Sequence, residues 1–75
     1  MAISSMMQNQ LEEILSAGGS LEISAKSKMA NQLADLARSA KRGGSQLTLT
    51  GVGSFMQNQL VEIARAGSGH VTFKD

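Results

Sequence analysis

The pentapeptide Met-x-Asn-Gln-Leu occurs three times, as Met7-Gln8-Asn9-Gln10-Leu11, Met29-Ala30-Asn31-Gln32-Leu33 and Met56-Gln57-Asn58-Gln59-Leu60. A motif that recurs restricts the fold to a series of like units. Asn9 and Asn31 are 22 residues apart and Asn31 and Asn58 are 27 apart, a period within the range of solenoid repeats.

Each copy is followed by the same grammar. In the first unit Met7, Leu11, Ile14 and Leu15 form one apolar stripe, predicting a helix that begins near Ser4 or Ser5 and carries the motif at its middle. Gly18-Gly19 ends that helix, and Leu21-Glu22-Ile23-Ser24 alternates apolar with polar, the period of a half-buried strand. In the second unit Ser27 is the expected N-cap, and Met29, Leu33, Leu36, Ala37 and Ala40 form the stripe. Lys41-Arg42 falls in the last turn, where cations suit the helix dipole. Gly43-Gly44 then precedes the alternating run Gln46 to Thr50. In the third, Ser54 is the expected cap of a helix bearing Met56, Leu60, Ile63 and Ala64. Gly67-Ser68-Gly69 breaks it before a strand over His70 to Lys74.

Strands separated by helices lie parallel, joined by right-handed crossovers. All three strands alternate, with Leu21/Ile23, Leu47/Leu49 and Val71/Phe73 on one face and Glu22/Ser24, Thr48/Thr50 and Thr72/Lys74 on the other. Apolar residues on a single face predict helices on one side only. The expected fold is a two-layer α/β repeat with a three-stranded parallel sheet in order 1-2-3. Residues 1–75 form one domain of three units, about 4–24, 25–50 and 51–75. Leu47-Thr48-Leu49 and Leu21-Glu22-Ile23 resemble the L-x-L strand of leucine-rich repeats, but Lys26 and Val52 stand where that family has Asn or Cys.

A chain of 75 residues buries a small core. With no Cys and one His it offers neither disulfides nor an evident metal site, so no cofactor is expected. The bare outer edges of strands 1 and 3 suggest a homodimer. Net charge is +1 and Trp and Tyr are absent, which gives no global pull toward nucleic acid and no stacking platform. No signal-peptide pattern and no apolar run long enough to span a bilayer is present, predicting a soluble cytoplasmic protein without a membrane role.

Candidate sites fall into four groups. Asn9, Asn31 and Asn58 point away from the core and form a ladder for a protein partner, with Thr48, Thr50 and Thr72 of the polar sheet face as a second surface. Gln10, Gln32 and Gln59 border the apolar stripe and are read as bridges between helices, while the three motif methionines are read as core filling rather than an adaptable binding surface. Lys26 with Gly51, Gly53 and Ser54 marks an anion site where a strand feeds a helix. Lys26, Lys28, Arg38, Lys41, Arg42 and Arg65 are the basic residues available to a nucleic acid. With Asp35 as the one opposing charge, residues 25–50 carry +4, whereas Glu12, Glu13 and Glu22 give residues 1–24 a charge of −3. His70 has no nucleophile or acidic pair beside it in sequence and is read as a surface residue on the polar face. These features predict a non-enzymatic module for protein interaction or self-association. The alternatives are a nucleic-acid accessory protein and a small anion-binding domain.

Overall fold

The structure, a computed structural model, describes residues 7–26 and 28–74. Helices α1 (Gln8–Ser16), α2 (Ala30–Gly43) and α3 (Gln57–Gly67) alternate with strands β1 (Leu21–Ser24), β2 (Leu47–Thr50) and β3 (Val71–Phe73). The sheet is parallel in order β1-β2-β3, with Leu21, Leu47 and Val71 on one rung and Ile23, Leu49 and Phe73 on another. The period-two pattern therefore has the structural meaning expected of it.

Leu21, Ile23, Leu47 and Leu49 are buried in one cluster with Leu11, Leu15, Leu33, Leu36 and Ile63 of the helices. Full burial of each such side chain contributes roughly 1.5–3 kcal/mol, which is why the alternation sets the layer arrangement. On the other face Glu22, Ser24 and Thr72 are exposed, and Thr48 and Thr50 are half-buried. Lys74 reaches Glu22 at 3.7 Å, an exposed pair of small energetic weight.

The helices differ from expectation in where they begin. Met7, Met29 and Met56 are the N-cap residues of α1, α2 and α3, each with an extended backbone (φ between −76° and −86°). The motif is thus the start of each helix, not its middle. Ser4 and Ser5, near which the first helix was expected to begin, and Ser27, expected as a cap, lie outside the described residues. Ser54 does not cap α3; it belongs to a 3-10 turn, Val52–Ser54, that precedes Met56. Strand β3 starts at Val71, so His70 lies just before it, its carbonyl accepting from the Leu47 N–H at 2.9 Å.

Two close approaches fix the layer at its other end. A Cβ on Gly43 would overlap the carbonyls of Leu15 and Ser16, so the last turn of α2 lies directly on the end of α1. Ser45, 4% exposed, donates from Oγ to the Leu15 carbonyl at 2.8 Å. The His70 ring in turn donates from Nδ1 to the Ser45 carbonyl at 2.8 Å. One polar chain thereby ties together all three units where the helices end.

Candidate functional site

Every strand runs in the same direction and each helix returns antiparallel to it, so all three helix N-termini lie at the carboxyl end of the sheet. Adjacent helix axes in such a layer are about 8–10 Å apart. The three motif copies therefore form a short ridge, with one Met and one Asn per helix.

An N-cap normally supplies a side-chain oxygen to the first free N–H groups. Methionine makes no such hydrogen bond here. The motif glutamine makes the reverse contact instead. Oε1 of Gln10, Gln32 and Gln59 accepts from the N–H of Met7, Met29 and Met56 at 2.9, 3.0 and 2.9 Å. This is half of a capping box. The glutamines thus cap their own helices rather than bridging between them. The bridge is made by Gln8, whose Nε2 donates to the Gln32 carbonyl at 2.9 Å.

With the glutamine as cap, the methionine side chains are left outside. Met7, Met29 and Met56 are 70%, 70% and 68% exposed, which overturns the expectation that they fill the core. Helical spacing from Leu11, Leu33 and Leu60 had put them on the apolar stripe, but that phase does not extend through an extended N-cap. Asn9, Asn31 and Asn58 are exposed as expected, each next but one to its methionine. Asn31 also accepts the Gln32 N–H at 2.9 Å.

The other candidates are dispersed. Lys26 lies along Gly51, which takes a left-handed φ of 66°; an added Cβ there would sit 3.0 Å from the lysine stem. Gly53 and Ser54 belong to the 3-10 turn and are separated from the start of α3 by Phe55 and Met56, so their N–H groups are not those of the helix terminus. Lys28 donates to Gln8 Oε1 at 3.4 Å. Arg38 pairs with Asp35 at 2.5 Å and, with Arg65, lines an open depression along α3 that also includes Asn58, Val61 and Glu62. Lys41 and Arg42 lie in the last turn of α2, at the opposite end from Lys26 and Lys28. Among the described residues no three His, Cys, Asp or Glu side chains gather to hold a metal, and no helix is long and apolar enough to cross a membrane.

Comparison with protein-family models, with curated proteins and with solved structures finds no match.

Proposed function

We propose that this chain is a non-enzymatic interaction module that binds a protein partner through the ridge of Met7, Met29 and Met56, with Asn9, Asn31 and Asn58 as its hydrogen-bonding flank. The observation that carries the reading is the near-equal exposure of the three methionines. Each occupies a position where Ser, Asp or Asn would stabilise its helix by about 1 kcal/mol. A local rule broken in the same way three times favours a role outside the fold. Methionine suits a contact surface because its unbranched thioether adapts to the shape it meets. The partner of such a ridge presents apolar side chains at its centre and amide-pairing groups at its rim.

The anion-binding and nucleic-acid readings draw less support, since Gly53 and Ser54 lie off the helix terminus and the basic side chains are spread over both ends of the layer.

Photo-reactive methionine incorporated in cells tests the proposal. One defined partner is expected to cross-link to the wild-type chain and to be lost from a folded Met7→Ser/Met29→Ser/Met56→Ser variant, which still carries label at Met1 and Met6. Equal capture by both chains would exclude the ridge.

A further inference from the structure

The two ends of the layer are open in complementary ways. By the motif register, Gln8, Glu12 and Leu15 of α1 correspond to Ala30, Ala34 and Ala37 of α2 and to Gln57, Val61 and Ala64 of α3. In the first two units Gln8, Leu15 and Ala37 of this set meet the next helix. Gln8 bonds the Gln32 carbonyl, Leu15 is buried with its carbonyl under Gly43, and Ala37 lies where a Cβ on Gly67 would meet it at 3.2 Å. On α3 the same positions have no helix beyond them among the described residues, and Gln57, Val61 and Ala64 are exposed.

The consequence reaches into the core. Leu60 is half-buried where its counterparts Leu11 and Leu33 are buried, and Val71 and Phe73 are half-buried where Leu47 and Leu49 are buried. At the opposite end Ile14 is half-buried, while its counterparts Leu36 and Ile63 are fully buried against the preceding helix. Among the described residues, apolar groups remain open at each end, Val61 and Ala64 at one and Ile14 at the other, where a solenoid usually terminates in a polar face.

We infer that a second copy of the chain continues the layer head to tail, its α1 and β1 docking on α3 and β3 of the first. The internal junctions set the geometry. Val71, Thr72 and Phe73 take Leu21, Glu22 and Ile23 of the next copy as partners, extending the register Leu21, Leu47, Val71 by one strand. Gln57 donates to the Gln10 carbonyl of the next copy, as Gln8 donates to that of Gln32. Ala17 carries a methyl where the helix ends of the inner units have Gly43 and Gly67, so this junction is looser than those within the chain and assembles with concentration. Such a contact is heterologous and does not close after two copies. It also aligns the methionine ridges of successive copies along one edge, although it does not depend on what the ridge binds.

The chain has no Cys, which allows a direct test with two single-cysteine chains, Thr72→Cys and Glu22→Cys, both at exposed positions. Neighbouring strands are about 4.8 Å apart, within the Cα separation a disulfide accepts. Oxidising the mixture is expected to give Thr72→Cys to Glu22→Cys links in at least tenfold excess over like-with-like links, with wild-type mass in sedimentation growing past two copies as concentration rises. Val61→Glu, at a 40% exposed residue, is expected to abolish that growth while leaving the circular dichroism unchanged. Links between two Thr72→Cys chains with mass halting at two would replace the inference by a symmetric edge-to-edge dimer, and a monomer at every concentration would overturn it.

Discussion

Gln8 of α1 and Gln32 of α2 are joined by a 2.9 Å hydrogen bond from the side-chain amide of one to the backbone carbonyl of the other. The same amide also meets Glu12 Oε2 at 3.0 Å, and its oxygen takes Lys28 Nζ at 3.4 Å. A residue with no place in the apolar core thus holds the N-terminal ends of two helices together. Because α1 buries only Leu11 and Leu15, it depends on such a contact more than α2 does. Gln8→Ala is expected to lower stability by about 1 kcal/mol. Amide exchange should accelerate first in α1 and β1, and equal acceleration in α3 would contradict the assignment.

Gly43 and Gly53 should answer in opposite ways to the same substitution. A methyl on Gly43 runs into the Leu15 and Ser16 carbonyls, and backbone at a helix end cannot move aside without separating α1 from α2. Gly43→Ala is expected to cost about 1–3 kcal/mol or more, a large part of the stability of so small a domain. Gly53 has nothing within 4 Å of an added Cβ. Gly53→Ala should leave the urea midpoint unchanged or raise it slightly through the unfolded chain.

The contrast between these glycines was not legible in the sequence, where both read as turn residues. The sheet was legible. Alternation in Leu21 to Ser24 and Gln46 to Thr50 reports which side is buried, and burial of one face dictates a single helical layer. The helix starts were not, because Met7, Met29 and Met56 have the hydrophobicity and spacing of core residues, and only the Gln-to-N-cap bond reveals that the helix begins after them. Serine as an expected cap added to the error, since Ser54 had a rival in a 3-10 turn that buries Val52. The partner of His70 was not legible either, because the Ser45 carbonyl that its ring reaches lies 25 residues away and in no recurring pattern.

Ser45 offers a test of that polar chain. Its hydroxyl is buried and donates to the Leu15 carbonyl, which also accepts from the Gly18 N–H at 3.1 Å, so Ser45→Ala removes one of two partners of that acceptor together with the tie between α1 and the α2–β2 turn. The expected loss is about 1 kcal/mol. Ser20, exposed and bonded through Oγ to the Gln46 N–H at 3.1 Å, has water available as a replacement. Ser20→Ala should therefore cost clearly less in the same chemical-denaturation experiment, and a reversed order would exclude the burial argument.

Met56→Ser separates folding from function most sharply. Met56, Gln57, Asn58 and Gln59 already hold half a capping box, with Gln59 Oε1 on the Met56 N–H at 2.9 Å. Serine at position 56 would complete the Ser-x-x-Gln box by sharing the Gln59 N–H, which now donates to the Met56 carbonyl at 3.0 Å. The substitution also withdraws an apolar side chain that is 68% exposed, so little packing is given up in exchange. Stability should rise by about 1 kcal/mol, or about 4–8 °C in melting temperature for a domain of this size. Partner capture in the photo-cross-linking experiment should fall. A variant that is both less stable and equally able to capture its partner would mean that Met56 packs against the chain's own core, and the ridge would lose its basis.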